Sequence, residues 1–175
     1  MQQLYITQKR IKVLRGDRKI INRIEQLCSC RISLEAEDTI EIKGGDAYSE
    51  FSAKNILYAF GRGFDLDTAC RLNDMDQYFA SIDIEQLASN DNRKRQIKSR
   101  IIGTDGRTKK YIESVSGAHI SIYGDTVSFI GTIEEINEAE TAVNTLLEGG
   151  THRLAYTRME AAHRKNKQQA RTAKF

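Results

Sequence analysis

Set against itself at a separation of 88 residues, the chain superimposes Ile24-Glu25 on Ile112-Glu113 and Ile32-Ser33 on Ile120-Ser121. After one deletion, at a separation of 87, DTIEIKG (38–44) falls on DTVSFIG (125–131). A repeat of this length confines a 175-residue chain to two copies of one supersecondary unit, so a reading of one half has to hold in the other.

Hydrophobic periodicity gives the unit its order. In the second copy an apolar-ended strand over 96–102 leads into a glycine loop, and a helical stretch over 107–115 turns Ile112 and Val115 inward. Gly117 ends that helix, as a glycine just past the last turn commonly does. Residues 119–123 alternate, Gly124-Asp125 makes a two-residue hairpin turn, and Val127 and Phe129 share one face of the returning strand. A helix over 133–147 closes the unit, with Ile136, Ala139, Val143, Leu146 and Leu147 at helical spacing. The first copy gives a strand near 11–14, a helix over 19–27, strands over 31–34 and 39–43, and a helix over 47–60. There Ser52, Ile56, Ala59 and Phe60 take the places of Ala139, Val143, Leu146 and Leu147. The expected fold class is α+β, with the order β-α-α-β-β-α in each copy and a three-stranded sheet covered by helices.

The net charge is only +3, but it is segregated. Residues 9–23 carry +6, 93–110 carry +7 and 151–175 carry +6, whereas 65–91 hold seven acids and one arginine. Clustered cations are rewarded by phosphate contact and counterion release, so this pattern favours a polyanionic partner. No apolar run approaches the roughly 18 to 20 residues of a membrane span. The opening MQQLYITQKRIKVL has neither an apolar core nor a small-residue cleavage site, so a cytoplasmic protein is expected. In that compartment Cys28, Cys30 and Cys70 stay reduced; they form no disulfide framework and lack a second pair at metal-ligand spacing. They read as small buried hydrophobes, and neither metal nor cofactor is expected.

With no proline in the chain, the glycines mark its turns. Residues 101–110 read IIGTDGRTKK, and Gly103-Thr104-Asp105-Gly106 forms a Gly-x-x-Gly loop. Such a loop lets a nucleic-acid backbone approach closely, because neither glycine presents a Cβ. The N–H groups opening the next helix then face phosphate, which the helix dipole favours. Arg107, Lys109 and Lys110 stand in its first turns to neutralise phosphates, while Ile102, Ile112 and Ile120 are expected to line a groove for the bases. Asp105 puts a carboxylate inside the loop, which repels phosphate if it points outward and does so less if it caps the following helix by accepting from main-chain N–H groups. The first copy reads Leu14-Arg15-Gly16-Asp17-Arg18-Lys19, with Lys19 where the second glycine should be. Arg15, Arg18 and Lys19 offer point charges there without close approach. Arg62, between Gly61 and Gly63, reads either as an RNA contact or as a solvated residue at a helix end.

The loop, helix, hairpin and helix together resemble the type I KH domain, whose Gly-x-x-Gly loop clamps about four single-stranded nucleotides. On that resemblance the chain is two tandem type I KH domains: a first with a degenerate clamp (1–63), a helix-strand connector (64–92), a second with an intact clamp (93–150) and a basic tail (151–175). The tail reads as a basic arm that orders on RNA or as a solubilising terminus. The connector YAFGRGFDLDTACRLNDMDQYFASIDIEQL, with SIYGDTVSFIG and LLEGGTHRLAYTRMEAAHRK, is similar to the KH-repeat factors of small-subunit ribosome assembly. These are the partner-of-Nob family, with Krr-like proteins as more distant relatives, and the short chain looks like the archaeal form. The resemblance implies binding to single-stranded precursor rRNA near the 3′ end of the small-subunit rRNA. It further implies partnership with the Nob-type endonuclease that matures this end and with the alpha subunit of translation initiation factor two.

An enzyme is not expected. His119, His152 and His163 have no nucleophile or ligand partner at motif spacing, and no Walker A or dinucleotide fingerprint occurs. Two other readings stay open from the residues: a generic single-stranded RNA or DNA regulator that shares the clamp, and a protein-interaction scaffold with KH folds, which the altered first loop and acidic 65–91 segment would suit.

Overall fold

The computed structural model describes residues 2–35, 39–87 and 90–172. Asp38 at the head of DTIEIKG, connector residues 88 and 89, and Lys174 of the basic tail lie outside the described residues. The chain runs β1 (Gln2–Tyr5), α1 (Gln8–Gly16), α2 (Arg18–Cys28), β2 (Cys30–Leu34), β3 (Thr39–Gly44) and α3 (Ala47–Gly61). A short α4 (Leu66–Cys70) and a 3-10 turn lead to β4 (Tyr78–Asp83), α5 (Asp91–Ile102), a 3-10 turn over Thr104–Gly106 and α6 (Arg107–Ser116). Then come β5 (His119–Tyr123), β6 (Thr126–Gly131), α7 (Ile133–Leu147) and α8 (His152–Thr172). The fold is α+β and KH-like, with two three-stranded antiparallel sheets ordered β1-β3-β2 and β4-β6-β5. Two compact units divide after Phe79, within β4. Among the described residues no helix is long and apolar enough to cross a membrane.

The order β-α-α-β-β-α occurs twice, but two of its expected strands are helices. Residues 11–14 lie in α1 and 96–102 in α5. The buried residues there are Ile11 and Leu14, three apart, and Ile97 and Ile101, four apart; both are helical spacings. Asn90 caps α5 by accepting from the Arg93 N–H at 2.8 Å. The first strand of each unit comes earlier, as β1 and as β4, the strand-like FASIDI of the connector.

The repeat is visible at the level of single hydrogen bonds. Glu25 on α2 accepts from the Ile32 N–H of edge strand β2 at 2.8 Å, and Glu113 on α6 accepts from the Ile120 N–H of edge strand β5 at 2.8 Å. Each carboxylate satisfies an edge-strand donor and ties the second helix of its unit to the sheet. Both of these helices end in left-handed residues, Ser29 at φ 51° and Gly117 at φ 85°. Glycine takes that conformation without penalty, whereas serine carries a steric cost of roughly 1–2 kcal/mol.

In the first unit Ile11, Leu14, Ile21, Ile24, Ile40, Ile42, Ile56 and Leu57 are buried between the helices and one sheet face. In the second, Ile97, Ile101, Ile112, Ile120, Val127, Phe129 and Val143 form one cluster, which Ala155 and Met159 of α8 complete. The basic tail is therefore an ordered helix over its described part, not an arm. Its inward residues recur at helical spacing, and Glu138 of α7, almost fully buried, accepts from Asn166 at 2.8 Å and lies 2.8 Å from the His163 ring.

Candidate nucleic-acid interface

The Gly-x-x-Gly loop joins α5 to α6, and its backbone has left-handed angles at three of four positions. Gly103 has φ 73°, Asp105 φ 54° and Gly106 φ 73°. The two glycines do different work. A Cβ at Gly103 would lie 2.2 Å from Thr108 Oγ1 and 2.7 Å from Thr108 Cβ, so this glycine lets the loop pack against its own helix. A Cβ at Gly106 would meet only Lys110 Cε at 4.0 Å. Gly106 is thus the position where the backbone is open to an approaching chain.

Behind that opening lies a helix end without a side-chain cap. Side chains cap α2, α3, α4, α5 and α7, the last with a full capping box of Thr132 and Glu135. No side chain caps α6. Of the two orientations open to Asp105, the structure has the outward one: it stands exposed, one residue ahead of the N-cap Gly106, with Arg107 3.9 Å away. The Arg107 N–H donates to the Thr104 carbonyl, and the α6 N-terminus has no side-chain cap, so an anion seated over Gly106 would meet the positive end of its dipole.

The structure sorts the basic residues of 93–110. Lys94 and Lys98 reach Asp125 in the hairpin turn at 3.0 and 2.8 Å, and these bonds, Lys98 first, hold the Asp125 carboxyl below the usual carboxylate range. Arg100 donates to the carbonyls of Leu146 and Gly150, and Arg93 to Gln96. Lys109 pairs with Glu113 at 3.3 Å. Most of the cluster is therefore scaffolding. The cations left toward the loop are Lys110, exposed, and Arg107, loosely paired with Asp105.

Of the three isoleucines expected to line a base groove, the structure places Ile112 and Ile120 in the core, at 0% and 3% exposure. They carry the packing of α6 on β5, and only Ile102, at 38%, is accessible beside the loop. His119 stands partly exposed on edge strand β5. Sequence reasoning missed the support beneath the loop: the Tyr156 hydroxyl of α8 donates to Thr108 Oγ1 at 3.3 Å, and Tyr156 packs its ring 4.4 Å from that of Tyr111. The signal lay in the helical spacing of Ala155, Tyr156 and Met159 within the tail.

The first unit has no counterpart to this loop. One residue, Asp17, separates α1 from α2, and its side chain accepts from the Lys19 N–H at 3.0 Å, occupying the helix end with a carboxylate. Lys19 lies in the first turn of α2, Arg18 is exposed beside it, and Arg15 donates to the Glu35 carbonyl at 3.3 Å. Arg62 lies against Tyr58, donating to its hydroxyl at 3.2 Å. Arg10 stacks 3.9 Å over Phe60 and donates to the carbonyls of Phe60 and Phe64 at 2.8 Å each, finishing α3. Burial pushes the Cys30 thiol up to about 11 and raises Cys28 and Cys70, which makes these thiols poor nucleophiles.

Two helices joined by a Gly-x-x-Gly loop ahead of a hairpin and a third helix define a KH domain, and residues 78–164 match the model of the eukaryotic type KH-domain (KH-domain type I). A KH domain-containing protein of Methanocaldococcus jannaschii is 36% identical over 94% of this chain and 74% of its own length. The RNA-binding protein pno1 of Dictyostelium discoideum is 30% identical over 69% of this chain, which spans about half (53%) of that protein. The crystal structure of an a/eIF2alpha-aDim2p-rRNA complex from Pyrococcus horikoshii holds a chain that is 30% identical, with a TM-score of 0.86 and 94% of each chain covered. The chain belongs to the PNO1-type KH-domain family, which includes these archaeal and eukaryotic proteins.

Proposed function

We propose that this chain is an RNA-binding factor of small-subunit ribosome assembly that holds single-stranded precursor rRNA, near the 3′ end of the small-subunit rRNA, on its Gly103–Gly106 loop. The observation that carries the reading is the open space over Gly106 in front of a helix end that no side chain caps. A phosphate there gains the α6 dipole and the charges of Arg107 and Lys110 together. In this reading both units are KH domains. The first lacks the clamp and contributes Arg15, Arg18, Lys19 and Arg62 as peripheral charges.

The target is supported by the relatives, one named an RNA-binding protein and others pre-rRNA-processing proteins, and by the rRNA in the Pyrococcus complex. The same complex supports the alpha subunit of translation initiation factor two as a partner. Partnership with a Nob-type endonuclease rests on the family resemblance alone. The chain binds and does not catalyse, and it works in the cytoplasm.

The test is Gly106→Asp. Aspartate tolerates a left-handed backbone better than most residues, and the space is open, so the variant should fold. It sets a carboxylate where the phosphate would sit. Affinity for single-stranded RNA should fall by about tenfold or more, or at least about 1.4 kcal/mol. Unaltered binding by a folded variant would overturn the assignment of the site.

A further inference from the structure

We infer that the exposed face of α8 bordering α6 continues the RNA path from the clamp, as a second phosphate-binding track. This rests on the clamp reading and extends it. At about 100° per residue, Arg153, Arg164 and Arg171 fall within about 20° of one direction on the helix, with Lys167 about 40° to one side. All four are exposed, and none has a hydrogen-bond or ion-pair partner for its side chain among the described residues. The stripe spans about 27 Å of helix axis. Glu160, the one acid in residues 151–175, is taken by the Tyr111 hydroxyl at 2.5 Å.

The side of α8 on which the stripe lies decides its use. Tyr156 and Glu160 are the residues that meet Tyr111 of α6; Glu160 falls within the stripe, about 20° from Arg153, and Tyr156 about 20° beyond Lys167. Arg107 lies one turn before Tyr111 on α6, within about 40° of it. His152, adjacent to Arg153, has its ring 3.0 Å from the Arg100 carbonyl, just ahead of the loop. Exposed positive charge therefore runs from Arg107 on the clamp helix, loosely paired with Asp105, onto the unpaired cations of α8 on one side of the unit. The opposite flank of α8 carries Arg158 and Lys165, and Arg158 is turned to α7, donating to Thr145 at 3.3 Å. Cations left unpaired in a row, on a helix fixed to the clamp by two tyrosines, fit the sugar-phosphate chain of a single strand leaving the loop.

The test compares two RNAs that share the small-subunit 3′ sequence and differ in length, about 6 and about 14 nucleotides, the shorter just exceeding the clamp. Affinity is measured by fluorescence anisotropy over a salt series for the whole chain and three variants. These are Arg153→Ala/Arg164→Ala, the charge-matched Arg158→Ala/Lys165→Ala, and Gly106→Asp. The longer RNA should bind the wild type more tightly and with a steeper salt dependence. Arg153→Ala/Arg164→Ala should lower that slope by about 1.4 for the long RNA, at roughly 0.7 per phosphate, and leave the short RNA unchanged. The matched pair should leave both unchanged. No gain with length, a gain indifferent to Arg153 and Arg164, or an equal loss in both double variants overturns the track and spares the clamp. Short-RNA binding that is absent from the wild type, or insensitive to Gly106→Asp, overturns the clamp and the track with it.

Discussion

Gly103 and Gly106 are alike in sequence and in φ, and they differ in what surrounds them. At Gly103 the missing Cβ is replaced by Thr108, so Gly103→Ala must displace the first turn of α6 while also straining a left-handed backbone. We expect it to destabilise the second unit by about 3 kcal/mol, read as a lower urea midpoint. Gly106→Ala meets open space and should cost about 1 kcal/mol from backbone strain alone. Equal losses in the two variants would contradict this division of labour. Asp125 offers a second test on single groups. Its carboxyl is held below its ordinary value by Lys98 and Lys94, so the folded state binds its proton less readily than the unfolded chain. The stability it supplies is complete above the ordinary carboxylate value of about 4 and is lost as pH falls through the depressed one. Asp125→Asn should therefore flatten the acid limb of urea midpoint against pH, and an unchanged limb would remove the pair from the account.

Helix α8 shows how an element can be needed for a loop it is not part of. It closes the core with Ala155 and Met159, and it supports the clamp through Tyr156 and Thr108. Met159 is fully buried, and Met159→Ala should destabilise the second unit by about 2–5 kcal/mol in urea unfolding. A change below about 0.5 kcal/mol, the range of surface substitutions, would mean that α8 is only loosely attached. The periodicity of the tail was open to reading, but its composition drew attention to charge, and the inward row of small and aromatic residues passed as part of a basic arm. The same bias affected α1 and α5, whose few apolar residues sit among cations. Read over a short window, Ile101-Ile102 resembles a strand end, whereas the pair that packs is Ile97 and Ile101.

For the whole molecule, the repeat carried most of what was legible. An offset found in a few residue pairs predicted two sheets and two sets of helices, and it extends to the matched bonds of Glu25 and Glu113 and the matched left-handed residues Ser29 and Gly117. The loop was legible because glycine spacing is a backbone property. The partners of its neighbours were not, since which lysine meets Asp125 and which isoleucine enters the core depend on contacts distant in sequence. Charge counts therefore overstated the surface available to RNA in the 9–23 and 93–110 clusters, where Arg10, Arg23, Lys94, Lys98 and Arg100 are held by acids or carbonyls. The most direct measurement of the central claim is crosslinking of the tagged chain to RNA in cells, with sequencing of the attached fragments, beside the Gly106→Asp variant. The account predicts reads concentrated at the 3′ end of the small-subunit rRNA and lost in the variant; reads scattered over messages, or the same peak retained by the variant, would contradict it.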